Sequence, residues 1–344
     1  MAFLQRNSAC FKSGNSIDFG LAMLETIKLL GTMSRAEFLL PNLGSLIMGL
    51  AWGVTPPASL LNLIVLLALS FAIINLSSAI GAQVNTYSDY QLDSRDERKK
   101  RLVQAADSFG RSRLKVLLIG EFLFTLVLVS LFALIQEKPA LLFMWAIGIF
   151  LGWAYSAPPI RIKARSWMAP VTLILVLAVL PVLFAYYSFA SAIGPLFILS
   201  LAGLALTVYG VIIPTEIRDY FGDKAMGIET MTVRLGLAKA SLAGIALLAT
   251  GAALTVGAFL LEFLFEQHSL LCVFLFAIPV AVIFVLEKFR KLYILSEKYS
   301  HSGGDSSLAE EIMRLSANNP RWIMLVTQTY SFISILLLAS KFLL

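Results

Sequence analysis

Nine apolar runs, each long enough at roughly 20 residues to cross a lipid bilayer as a helix, dominate this chain. They fall at about 36–54, 59–84, 115–135, 139–155, 169–188, 194–214, 238–260, 270–286 and 322–343. In hydrocarbon a backbone N–H or C=O has no water to bond, so each run must satisfy its own polar groups as a helix; the alternation that a β-barrel requires is absent. Composition carries the same message. Of 344 residues 58% are hydrophobic and 14% charged, with a mean hydropathy of +0.83, where soluble domains have about 45–50% and about 25%. The sequence therefore predicts an all-α, polytopic integral membrane protein with nine transmembrane helices. The run 139–155 is short, and a tilted or re-entrant segment suits it as well as a full crossing. Cys10 and Cys272 are too few and too distant for a disulfide framework or a zinc site, and His268 and His301 have no catalytic or metal-binding company. Nothing points to nucleic acid as a partner.

The connections between runs are of two kinds. Residues 54–58, 136–138, 189–193 and 261–269 are short, whereas 85–114, 156–168, 215–237 and 287–321 are long and share a side with the N-terminus. Of the 27 Lys and Arg residues, all but Lys138 and Lys341 fall on that second side or at its span edges. By the positive-inside rule the long connections and the N-terminus are cytoplasmic and the C-terminus is outside. Residues 1–34 lack the apolar core and cleavage site of a signal peptide after Arg6 and Lys12. Instead Ile17, Leu21, Leu24 and Ile27 recur at helical spacing with Asp18, Glu25 and Lys28 between them, which predicts a helix lying in the interface. A second polar helix is expected near Ser307, where Ser307 and Glu310 have capping-box spacing and Leu308, Ile312 and Leu315 share a face; it reads as an interfacial linker. The organisation is a cytoplasmic or interfacial segment, 1–34, followed by one membrane domain, 35–344, with cytoplasmic cap loops at 85–114 and 215–237.

Two clusters of carboxylates punctuate this pattern. At the end of the second run, Asn85, Asp89 and Asp93 recur at four-residue intervals on one helical face, over about 12 Å. At the end of the sixth, Asp219 and Asp223 repeat the spacing, and an offset of 130 residues maps Asn85, Asp89 and Asp93 onto Thr215, Asp219 and Asp223. This is a weak parallel repeat, and repeats often place a site at their interface. Stacked carboxylates repel one another unless cations compensate them. Hard oxygens in this arrangement suit Mg²⁺, which takes one or two carboxylates and completes its shell with water and phosphate; two faces brought together could hold two ions bridging a diphosphate. Arg95, Arg98, Lys99, Lys100 and Arg101 follow the first motif, and Arg218 and Lys224 lie within the second, placed to contact diphosphate oxygens. The run 98–101 equally suits topology and anionic lipid. Tyr87, Tyr90, Trp153, Tyr155, Tyr209 and Tyr220 are near enough to hold a cation over a ring face, and interface anchoring accounts for each as well.

These residues resemble the UbiA superfamily of intramembrane prenyltransferases. Asn85, Asp89 and Asp93 match that family's first motif; Asp219 and Asp223 match its second, continuing through Gly227, Thr230 and Arg234-Leu-Gly236. Tyr155-Ser-Ala-Pro-Pro-Ile-Arg161-Ile-Lys163 resembles the segment after its fourth helix, and Arg35, ahead of Pro41 and Gly44, the basic residue that opens its first. The resemblance implies nine helices around a central cavity, two Mg²⁺ ions, and transfer of a polyprenyl group from its diphosphate to a lipophilic, aromatic acceptor near the cytoplasmic side. It implies that Asn85, Asp89, Asp93, Asp219 and Asp223 carry metal and diphosphate. Arg35, Lys163 and Lys224 would contact diphosphate, and Tyr155 would line the reaction centre. Where some members have a Lys four residues after the Tyr, this chain has Pro159, so either Arg161 or Lys163 takes that role. Pro214-Thr-Glu216 stands where many members have Asn or Asp, which leaves Glu216 without an assigned part. A non-aromatic acceptor such as a glyceryl phosphate lipid remains an alternative. Intramembrane carboxylates also mark cation-coupled transporters, although here the acids cluster at span ends and leave the span centres apolar. Prenyl length is not legible, because it depends on cavity depth.

Overall fold

A computed structural model describes residues 16–55, 59–95, 99–190, 192–317 and 319–343. In chain order the α-helices are α1 (Ser16–Met33), α2 (Leu39–Gly53), α3 (Leu60–Ser88), α4 (Tyr90–Asp93), α5 (Lys100–Phe109), α6 (Arg111–Ile135), α7 (Pro139–Ser156), α8 (Met168–Ile174), α9 (Leu180–Phe189), α10 (Pro195–Ala225), α11 (Met231–Leu235), α12 (Leu237–Phe265), α13 (Ala277–His301), α14 (Ser306–Ser316) and α15 (Asn319–Leu343). A π-helical stretch, Leu175–Val179, joins α8 to α9, and a 3₁₀ segment, Ser269–Phe276, leads into α13. Among the described residues there is no strand, only an isolated bridge between Ser166 and Thr230.

Eight of the expected spans meet the length and hydropathy that a membrane crossing needs, among the described residues. The run at 139–155 is one of them, as the 18-residue α7. The run 36–54 folds as a 3₁₀ turn, Ala36–Phe38, and the 15-residue α2, which reaches about 22 Å, short of the ~30 Å hydrocarbon core. Its C-terminal half is buried, from Met48 to Gly53. Where α2 crosses α9, a Cβ on Gly49 would lie 2.6 Å from Tyr186 N and 2.7 Å from Val182 O, so the helices touch backbone to backbone. Gly203 of α10 and Gly251 of α12 face each other in the same way, each hypothetical Cβ 2.6–2.7 Å from the other's carbonyl oxygen. Lipid supplies no hydrophobic force between helices, so close approach at small residues is what holds such pairs together.

Hydropathy and helix ends part company at the acidic motifs. The sixth run ends at 214, yet α10, 31 residues long, continues past Pro214 to Ala225, because a polar turn ends the apolar run without ending the helix. At the first motif α3 stops at Ser88, Asp89 adopts φ −97° and ψ 4°, and α4 resumes with Asp93 N bonded to Asp89 O at 2.8 Å. The expected single face of Asn85, Asp89 and Asp93 is thus bent at its middle residue. The helix expected near residues 17–27 is present as α1, with Leu29, Leu30 and Met33 packed on Ala105 and Ala106 of α5 and Leu114 of α6. The polar helix near 307 is α14, but its cap is Asp305, whose Oδ1 accepts from Ser307 N at 2.8 Å. By chain alternation the connections 89–110, 157–167, 226–236 and 302–305 share one face of the bundle, which also carries the basic residues.

Candidate active site

Asp89 is the hub of the first motif. It is 3% exposed, and a buried carboxylate must be paired and hydrogen-bonded to keep its charge. Asn85 Nδ2 donates to Asp89 Oδ2 at 3.0 Å, Arg161 Nη2 pairs with Oδ1 at 3.2 Å, and the Lys163 ammonium pairs with Oδ2. Burial holds Lys163 below the ordinary lysine range, opposed by Asp89. Asn85 Nδ2 also donates to Ser156 Oγ at 2.7 Å, and its Oδ1 accepts from Arg35 Nη2 at 3.5 Å. Arg35 and Arg161 both occupy the left-handed region, at φ 50° and 42°. That conformation costs a non-glycine residue of order 1 kcal/mol, and at both positions it accompanies a guanidinium aimed at the first motif. One turn on, buried Asp93 pairs with Lys99 Nζ at 2.7 Å. Behind the motif, Tyr90 OH donates to Asp107 Oδ1 at 2.6 Å while Arg111 lies over the Tyr87 and Tyr90 rings, tying α4 to α5 and α6.

The second motif lies along the end of α10. Arg218 Nε donates to Asp219 Oδ1 at 3.1 Å, and Lys224 Nζ reaches Tyr220 OH at 3.5 Å. Glu216 accepts from Tyr209 OH at 3.4 Å and from Thr232 Oγ1 of α11 at 2.8 Å. The loops that carry the two halves are joined: Ser166 N donates to Glu229 O at 3.1 Å and Arg234 Nη1 to Ser166 Oγ at 3.4 Å. Tyr155, at the end of α7, lies within electrostatic reach of Glu216, Asp89, Asp223 and Arg35.

Beneath this polar end lies a cavity of about 230 Å³. Arg35, Asn85, Tyr155 and Ser156 line it at the motif end, and the remainder is largely apolar, with Ile74, Ile149, Leu173, Val176 and Leu180 in its walls.

The sequence matches the UbiA prenyltransferase family over residues 41–296. The chain belongs to that family. A homogentisate phytyltransferase of Synechocystis sp. (strain ATCC 27184 / PCC 6803 / Kazusa) is 30% identical over 97 residues, which is 26% of this chain and 31% of that enzyme. The match thus spans about a third of that relative's length. Among solved structures, a UbiA homologue from Archaeoglobus fulgidus superposes with a TM-score of 0.57 at 20% identity, covering 91% of this chain and 98% of that one. The same homologue bound to GPP and Mg²⁺ gives 0.54 at 19%, covering 87% and 99%. A digeranylgeranylglyceryl phosphate synthase structure gives 0.57 at 15%, covering 90% and 99%.

In this UbiA chain, then, Arg35, Asn85 and Tyr155 line one end of the cavity, and Asp89, Arg161 and Lys163 join them through Asn85. Both Arg161 and Lys163 meet Asp89. Asp93 sits one turn away on Lys99, and Arg218, Asp219, Asp223 and Lys224 follow on α10. Arg98 of the basic run lies outside the described residues. Sequence reasoning missed Ser156 as the acceptor for Asn85, and Thr232 with Tyr209 as the donors to Glu216. Ser156 was adjacent to Tyr155 in the matched segment, but a serine after a tyrosine signals nothing by itself.

Proposed function

We propose that this chain transfers a polyprenyl group from its diphosphate to a lipophilic aromatic acceptor. The observation that carries the reading is the cavity itself, basic and amide-lined at one end and apolar along its length, as an amphiphile with an anionic head requires. Arg35, Arg161, Lys163 and Lys224 supply cations for diphosphate oxygens as negative charge grows on the leaving group. The apolar walls keep water from the allylic cation left behind, and the Tyr155 ring offers it a π face.

The donor set suits Mg²⁺. Asp89, Asp93, Asp219 and Asp223 are hard oxygen ligands, with Asn85 beside them. Among the described residues no three acidic, His or Cys side chains lie close enough to hold a metal unaided; a Mg²⁺ ion here would take one or two carboxylates and complete its shell with phosphate and water. Bound there, Mg²⁺ would withdraw charge from the departing diphosphate. The relative named for homogentisate supports a hydroxylated aromatic acceptor, and the Archaeoglobus homologue bound to GPP and Mg²⁺ supports donor and metal.

The test uses purified protein in lipid, an isotope-labelled prenyl diphosphate and a panel of acceptors, read by mass spectrometry with Mg²⁺ and with chelator. A labelled lipid formed only with Mg²⁺ is the expected result. Cation-driven uptake by sealed vesicles without a covalent product would overturn it.

A further inference from the structure

The cavity has a definite depth along three helices at once. Its lining runs from Asn85 back to Ile73 on α3, from Ser156 back to Met144 on α7, and from Thr172 through the π-helical stretch to Phe184 on α9. Each stretch covers twelve residue steps, about 18 Å at the helical rise. Two stretches that run toward the motif end, on α3 and α7, and one that runs away from it, through α8 and α9, therefore reach the same level. There Ile73, Trp145 and Phe184 are all buried and belong to one packed apolar cluster. The Trp145 ring is backed by Phe122 at 5.6 Å and the Phe184 ring by Phe132 at 6.0 Å, so neither swings aside without emptying a packed neighbour.

An isoprene repeat adds four chain carbons, about 5 Å when extended at standard bond lengths and angles. We propose that the Ile73–Trp145–Phe184 floor measures the donor tail, accepting about three to four isoprene units and rejecting longer ones, with Trp145 the specificity-determining residue. The proposal rests on the prenyl-transfer reading. A tail that turned outward between α7 and the π-helical stretch, past the partly exposed Trp153 and Leu177 (39% and 36%), would escape this limit. The walls give a second handle on the same length. Gly81 lines the cavity one turn below Asn85, and a Cβ there would meet nothing within 4 Å, so a leucine at that position projects into open space.

The experiment measures kcat/KM for donors of two, three, four and six isoprene units, using the full chain in lipid nanodiscs with Mg²⁺ and an acceptor that supports turnover. The Tm shift that each donor causes without acceptor is recorded in parallel. Wild type should peak at three or four units and fall at least about tenfold at six, the scale on which apolar pockets discriminate. Trp145→Ala should raise use of the six-unit donor about tenfold, and Gly81→Leu should move the optimum to two units. Equal use of four- and six-unit donors by wild type, or a length profile that neither variant moves, overturns the floor while leaving prenyl transfer standing. Absence of both turnover and Tm shift with every donor defeats the transfer reading itself. Should Trp145→Ala not fold, Gly81→Leu decides the matter alone.

Discussion

Asp89 brings two cations onto one buried carboxylate, and that excess defines the chemistry at the residue scale. Removing one partner of a buried ion pair typically costs about 3–5 kcal/mol; Asp89→Asn keeps the side chain's shape but takes away the charge that Arg161 and Lys163 share, so its Tm should fall. Asp89→Asn and Asp223→Asn should lose turnover by a factor of about 100 or more, measured on protein that elutes monodisperse with helical circular dichroism. Unchanged turnover in both would exclude the motifs from the reaction. Ser156→Ala probes a quieter role. Asn85 loses one hydrogen bond, about 1 kcal/mol, and the donor KM should rise about fivefold with kcat nearly unchanged if the contact only positions Asn85. The acids were legible because the i, i+4 period places them before any contact is known, whereas Arg35, Arg161 and Lys163 entered through the family resemblance. Ser156 and Thr232 were not, since their partners, Asn85 and Glu216, lie 71 and 16 residues away.

Helices are positioned here by small residues, and the glycine seams make that testable. Gly251→Ala would press a methyl against Gly203 O and Thr207 N at 2.6 and 2.7 Å. Overpacking of this kind costs about 1–3 kcal/mol, so Tm in detergent should fall, whereas Gly257→Ala, on the same helix but with open space around its Cβ, should not lower it. Equal Tm for both variants would remove the seam from the argument. Element type and order were readable from hydropathy, since a run of apolar residues in lipid admits only a helix. Element ends were not. A polar turn closes a hydropathic run, but α10 carries its ladder onward to Ala225, and the bend at Asp89 leads into Tyr90, whose partner Asp107 lies seventeen residues later.

At the scale of the molecule, charge asymmetry sets orientation, and its two exceptions have a local cause. Lys138 Nζ donates to the carbonyls of Tyr187 and Ala190 at 2.9 and 3.0 Å, and Lys341 Nζ to Val54 O at 3.3 Å. Each cation thus sits on the carbonyl end of a helix, α9 or α2, where the dipole favours it. The positive-inside rule predicts that a cysteine introduced at Ser302, with Cys10 and Cys272 replaced, reacts with an impermeant thiol reagent only from the cytoplasmic side. Labelling from the outside would reverse the topology. Lys138→Met and Lys341→Met should lower Tm without inverting the protein, because the basic residues of the opposite face still decide insertion.

Lipid as solvent, the helical character of each apolar run and the spacing of the acidic motifs follow from the sequence alone, because composition and period act on neighbours along the chain. Tertiary structure decided which cations meet Asp89, since Arg161 and Lys163 arrive from 72 and 74 residues away. It also decided how deep the cavity runs, since Ile73, Trp145 and Phe184 close it from three separate helices. Such distances arise from packing, and no local pattern encodes them.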